Sequence, residues 1–249
     1  MSTSLVIRAR ATARLWRVSL HILRGVATVA FVYPRIDAAH RLALKQAWSG
    51  RLLEILGISL NYAGQVPRTG LLVSNHISFI DVFAINALVP SSFVAKDDVK
   101  SWPVIGWLTR HTDTLFLERG KRAAAHRARE DMVHHLQAGA RVAVFPEGTT
   151  SVGDSVLPFH SAMFQAAIDA KVDVAPIALA YVDGNELRSH AADFVGETSL
   201  VQRLWSMACA PHLTVRVNFL PTQTTVDAER RHLSAHVHRQ IAHHLTLLA

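Results

Sequence analysis

The chain has 249 residues, half of them hydrophobic, which fits one domain with an appendage and allows a real buried core. No window of about 18 apolar residues runs free of charge, which argues against a multi-span membrane protein. The single cysteine, Cys209, excludes an internal disulfide. The net charge of +7 is unevenly placed: residues 1–51 hold nine basic side chains against one acid, Asp37, a net of +8, so the other 198 residues carry −1.

Two helices are expected first, at about 10–33 and 37–56, broken by Pro34 and closed by Gly57. Their arginines alternate with Leu15, Trp16, Leu20, Leu23, Val29, Phe31 and Tyr33. A basic arm on a near-neutral body suits nucleic acid or an anionic membrane; the apolar share favours a helix lying among lipid headgroups, with Trp16 and Tyr33 as anchors. The longest uncharged stretch near the N-terminus, Gly25 to Pro34, spans ten residues between Arg24 and Arg35, too short to cross a bilayer. Basic residues recur throughout, so no signal peptide is expected, and the default is a protein facing the cytoplasm. Beyond Gly57, strands are expected at 71–74, 93–95, 114–117, 142–145, 174–181 and 213–219. Helices alternate with them at about 79–88, 122–138, 159–170 and 227–247. Residues 184–200 read as a long loop, and Pro176 argues against a central place for its strand. The alternation predicts an α/β layered domain over 58–249 with a mixed, partly parallel sheet flanked by helices, preceded by a two-helix membrane-docking motif over 1–57.

Two turns carry the chemistry. Val73-Ser74-Asn75-His76 runs from a strand into a helix containing Asp81. A histidine with a carboxylate partner takes a proton from a hydroxyl near neutral pH. Five residues apart on a straight helix, the two side chains would point roughly 140° from each other. They meet only if His76 lies in the turn and Asp81 reaches back from the first helical turn. Ser78-x-x-Asp81 offers a competing account, a capping box with Ser78 as N-cap. The second turn is Phe145-Pro146-Glu147-Gly148-Thr149-Thr150-Ser151, where glycine allows close approach to a ligand and hydroxyls and free N–H groups can cradle a phosphate.

Together the two blocks resemble the glycerolipid acyltransferase family, the PlsC-type lysophosphatidate acyltransferases. His76 through Asp81 match the H-x4-D block and Phe145 to Ser151 the F-P-E-G-T block; Thr114–Arg119 and Val174–Ala178 look like the two remaining blocks. The resemblance spans roughly residues 70–180. It implies transfer of a fatty acyl group from acyl-CoA or acyl carrier protein to the sn-2 hydroxyl of 1-acyl-sn-glycerol-3-phosphate, in phospholipid biosynthesis on the cytoplasmic face of the inner membrane. His76 would be the base and Asp81 its orienting partner; Arg119 would pair with the acceptor's phosphate, and Glu147, Gly148 and Thr149 would hold its head group. No metal or other cofactor is implied. Many relatives follow the F-P-E-G-T block with Phe-Lys-x-Gly, whereas this chain has Phe159-His160-Ser161-Ala162. That is closer to the lyso-ornithine-lipid branch of the superfamily and leaves it as the alternative acceptor.

Other candidates read as structural. His232 and His236 have metal-sharing spacing, but no H-E-x-x-H accompanies them, and a solvated helix face is the expectation. Lys121, Arg122, Arg127 and Arg129 form a basic helix face that would suit acidic acyl carrier protein. A non-catalytic lipid-binding protein is the rival of another class, countered by the intact His76, Asp81 and Glu147. A Ser-His-Asp hydrolase would need a G-x-S-x-G elbow, which does not occur.

Overall fold

The basic arm folds as a helical hairpin laid on the body. In the computed structural model, which describes residues 2–118, 122–196 and 198–247, α1 (Ser2–Ala27) runs on through a π-turn (Thr28–Val32) and a 3₁₀ turn (Tyr33–Arg35). Ser4–Arg35 is therefore one helical stretch of 32 residues, long and apolar enough by length and composition to cross a membrane, with 22% of its most apolar window buried. This corrects the expectation of no such segment. An unbroken charge-free run fails at Arg24, yet a long arginine side chain can snorkel to an interface and leave an apolar helix apolar. Trp16 is 65% exposed. Tyr33, by contrast, is buried and donates to the Arg41 carbonyl at 3.3 Å, so it packs inward and does not anchor.

Asp37 starts α2 (Ala38–Leu56) by accepting the His40 amide at 2.9 Å, and Gly57 ends it at φ 75°. A Cβ at Gly57 would strike the Arg14 guanidinium of α1, so glycine serves both the turn and the approach of the two helices. His21 stacks on Trp48 with ring centroids 4.5 Å apart, its Nε2 lies 3.0 Å from the Trp48 carbonyl, and Trp48 Nε1 donates back to the His21 carbonyl at 3.2 Å. The hairpin is clasped at that point.

Among the described residues the body is a sheet of seven strands: β1 (Ile58–Ala63), β2 (Gly70–Ser74), β3 (Ser92–Lys96), β4 (Leu115–Leu117), β5 (Arg141–Val144), β6 (Val174–Val182) and β7 (Leu213–Phe219). Their order is β1-β7-β6-β2-β5-β3-β4, and every neighbouring pair is parallel except β6–β7. The helices are α3 (Asp81–Leu88), α4 (Ile105–Arg110), α5 (Arg122–Gln137), α6 (Gln165–Ala170), α7 (Leu200–Cys209) and α8 (Arg230–Thr246). Three of these elements were not expected. β1 is an edge strand, α4 a short helix, and α7 lies where the long loop was thought to end. The helix expected at 159–170 is a 3₁₀ turn (Ser161–Phe164) followed by α6.

Pro176 lies in a central strand after all. Its carbonyl accepts from Leu220 at 2.9 Å, so its donorless nitrogen faces the chain just beyond β7, where the ladder has already ended. Alternation along the central strands divides the core. Leu72, Ala143, Ile177 and Leu179 pack with α1, α2, α3 and α7 through Val18, Leu53, Leu56, Ile85 and Met207. Leu71, Val73, Val142, Val144 and Ala178 pack with α5, α6 and α8 through Leu136, Ala166, Val237 and Ile241. Each buried Val, Leu, Ile or Met among these stabilises the fold by about 1.5–3 kcal/mol. The connection leaving β2 enters α3 in the first layer, whereas the one leaving β5 enters α6 in the second. Adjacent parallel strands whose connections diverge to opposite faces open a crevice at their carboxyl ends, where open α/β sheets bind ligands.

Candidate active site

The β2 turn is fixed before any functional atom is considered. Asn75, 1% exposed, replaces a strand residue against β6: its Nδ2 donates to the Leu179 carbonyl at 2.9 Å and its Oδ1 accepts the Leu179 amide at 2.8 Å. His76 follows in the turn, and Asp81 is the first residue of α3, with Ile80 and not Ser78 as N-cap. From there the carboxylate reaches back over the turn. Asp81 Oδ2 accepts from His76 Nδ1 at 2.9 Å, the Ile77 amide at 2.7 Å and the Ser78 amide at 2.9 Å. Asp81 Oδ1 accepts from the Tyr181 hydroxyl at 2.7 Å. Capping and pairing are thus one arrangement with Asp81 at its centre. The expected Ser78 cap does not form, and Ser78 Oγ is buried without a hydrogen bond among the described residues.

Asp81 has no exposed surface, whereas 18% of the His76 side chain is exposed. A carboxylate on Nδ1 assigns the proton to that nitrogen and the lone pair to Nε2. The ring lies flat on Phe145, centroids 3.9 Å apart at 10°, and Phe145 stacks in turn on Phe93 at 5.7 Å. The Phe145 plane, itself backed by Phe93, restricts rotation of the imidazole.

Phe145 opens the second turn, at the end of β5. Glu147, 5% exposed, accepts the His76 amide on Oε1 at 2.7 Å and the Leu157 amide on Oε2 at 3.0 Å. Burial pushes its carboxyl above the ordinary range, and the two amides pull it partly back. The Ser151 amide closes the join by donating to the His76 carbonyl at 2.8 Å. Glu147, expected at the acceptor's head group, therefore has both oxygens on backbone amides of the two turns. Gly148, at φ 65°, is half-buried and Thr149 is exposed on the same turn, while the Thr150 hydroxyl donates to the Phe194 carbonyl. His160 is tied to the same turn, its amide donating to the Pro146 carbonyl at 2.9 Å. Arg119 and Lys121 lie outside the described residues. Arg129, on the basic helix, lies 3.5 Å from Asp169, and His232 and His236 are exposed on α8.

On the first-layer side is an apolar cavity of about 400 Å³ between α1, α2, α3 and α4, whose wall includes Val29, Trp48, Val82, Phe83, Phe93 and Leu108. Phe93 joins it through Phe145 to the His76 ring. Two features escaped sequence reasoning: Tyr181, a lone polar atom in an apolar strand, and the Leu157 amide. A phenol among Val, Ala, Ile and Leu is itself a hint, since a buried hydroxyl requires a partner.

The Acyltransferase family model matches residues 60–180. The chain is 36% identical over 170 residues to the 1-acyl-sn-glycerol-3-phosphate acyltransferase of Neisseria meningitidis, 68% of this chain and 66% of that one, just under two thirds of the relative's length. It is 30% identical over 216 residues to the lyso-ornithine lipid O-acyltransferase of Pseudomonas aeruginosa, 84% of this chain and 83% of that one. The crystal structure of the 1-acyl-sn-glycerophosphate (LPA) acyltransferase PlsC from Thermotoga maritima superposes with a TM-score of 0.75 over 99% of this chain and 97% of that one; at 19% identity this speaks to the fold alone. On the likeness in sequence, which takes in both turns, the chain belongs to the PlsC-type glycerolipid acyltransferase family.

Proposed function

We propose that the protein moves a fatty acyl group from a thioester to the sn-2 hydroxyl of 1-acyl-sn-glycerol-3-phosphate, giving phosphatidic acid. One observation carries the mechanism: an imidazole held on Nδ1 by a fully buried carboxylate, with the lone pair on Nε2. His76 Nε2 takes the hydroxyl proton as the oxygen attacks the thioester carbonyl. Asp81 stabilises the imidazolium, which then returns the proton to the departing thiolate. The acyl chain lies in the cavity beside Phe93, whose apolar wall suits a hydrocarbon. Gly148 and Thr149 contact the acceptor's head group, and Arg119 pairs with its phosphate. The donor is acyl-CoA or acyl carrier protein, the latter docking on Arg127 and Arg129. The exposed apolar residues of α1, Leu5, Val6, Trp16, Leu20 and Leu23, with the arginines between them, sit in the cytoplasmic leaflet of the inner membrane.

A second reading has a lyso-ornithine lipid as acceptor. It is favoured by His160-Ser161-Ala162 in place of a lysine and glycine and by the longer alignment to the Pseudomonas protein. Purified protein given both acceptors with one acyl donor decides between them. A kcat/KM for the lyso-ornithine lipid above that for lysophosphatidate overturns the acceptor while leaving His76 its role. Full activity in folded His76→Ala, where a loss of about 10²–10⁴-fold is expected, overturns the mechanism.

A further inference from the structure

Asp81 Oδ1 is held by a residue outside both motif turns. Tyr181 lies on the central strand β6, is 2% exposed, and its hydroxyl donates to Oδ1 at 2.7 Å. We propose that Tyr181 is a positioning residue for acyl transfer: it fixes the rotation of the Asp81 carboxylate, so that Oδ2 stays on the imidazole. The inference rests on the reading of His76 and Asp81 given above.

Three donors already share Oδ2, from the ring and from the Ile77 and Ser78 amides. Tyr181 supplies the matching anchor for Oδ1. With no exposed surface on Asp81, bulk solvent cannot take over. A carboxylate that loses a donor becomes more basic. The proton taken up by the His76–Asp81 pair then settles more readily on Oδ1, and a neutral acid stabilises an imidazolium poorly. The titratable groups facing the pair are His76 itself, Glu147 from the second turn, and Asp193 on the side of the phenol. Burial, followed by the Asp81 charge, holds the phenol neutral well above its ordinary range. Tyr181 is therefore a standing donor across the working pH range and not a source of protons.

Tyr181→Phe removes the oxygen alone. The kcat should fall about tenfold or more, with the KM of both substrates unchanged. The acid limb of the kcat/KM profile should move up by about half a pH unit or more, because the pair binds a proton more tightly. Replacing Tyr181 with 3-fluorotyrosine, a stronger donor of nearly the same shape, should move that limb the other way. This second variant carries the test alone if the phenylalanine variant does not fold. In an Asp81→Asn background, Tyr181→Phe should cost less than about twofold more, since there is no carboxylate left to position. A folded Tyr181→Phe with wild-type kcat and an unmoved acid limb overturns the proposal. So does an unmoved limb with 3-fluorotyrosine, or the full loss recurring in the Asp81→Asn background. Activity surviving in His76→Ala is a separate result and removes the reading of the site on which the proposal stands.

Discussion

Glu147→Gln separates two roles for the same residue. In the structure its oxygens accept the His76 amide at 2.7 Å and the Leu157 amide at 3.0 Å, so the carboxylate joins the turn after β2 to the turn after β5. A glutamine keeps one acceptor oxygen and sets an N–H against the other amide. A hydrogen bond to a charged acceptor contributes about 1.5–3 kcal/mol, and a buried unsatisfied donor costs about 1–3 kcal/mol. The amide recovers part of this, because it sheds the burial cost that raises the Glu147 carboxyl. The net loss should be about 2–4 kcal/mol, or about 5–15 °C in Tm at roughly 2–4 °C per kcal/mol for a chain of this size. Because the His76 amide belongs to the turn that holds the proposed base, kcat should fall by about tenfold or more while the acceptor KM changes by less than about twofold. Thermal unfolding of the purified protein in detergent and steady-state acyl transfer provide both readings. An unchanged Tm together with a raised acceptor KM would refute the brace and return Glu147 to the head group.

Other perturbations act elsewhere in the molecule. If α1 sits in the leaflet, Trp16→Ala with Leu23→Ala should weaken binding to anionic vesicles measured by flotation, and added salt should remove only the electrostatic part; unchanged flotation places the docking surface elsewhere. Burial holds the His21 ring below its ordinary value of 6.5, so the stability its neutral form contributes is present above that pH and is lost as pH falls through the lowered value. His21→Phe should flatten that acid limb of Tm against pH, and an equal slope in both proteins rejects the assignment. Val29→Phe fills part of the cavity wall, so kcat/KM should fall more for long acyl donors than for short ones. Equal losses at every chain length would move the acyl chain out of this cavity.

The sequence carried the layered architecture because strand and helix periods alternate cleanly after Gly57. It could not carry β1: of Ile58-Ser59-Leu60-Asn61-Tyr62-Ala63 only Ile58 is buried, so no periodic apolar face marks an edge strand. α7 was legible in principle, since Ser199 and Gln202 form a complete capping box, but the irregular stretch before it concealed the start. At the site, local spacing left Asp81 divided between capping the turn and pairing with His76, and the fold gives it both the turn amides and the His76 ring. Tyr181, and the contact of Glu147 with the His76 turn, were beyond local reading. Their partners lie 100 and 71 residues away, a separation that only the parallel strand order closes.

The division of the core has a consequence for redesign. The described residues lining the cavity belong to the arm, α3, β3, α4 and the turns beside them, all on one side of the sheet or at its rim. Among the described residues, the layer of α5, α6 and α8 contributes nothing to that wall and supports the same strands from behind. If the acyl chain occupies this cavity, as proposed, substrate selectivity and mechanical support are physically separate modules in this chain. A library that varies the cavity wall in search of new acyl chains can leave the rear layer untouched as a stability reserve, and stabilising changes made there should leave chain-length preference unaltered.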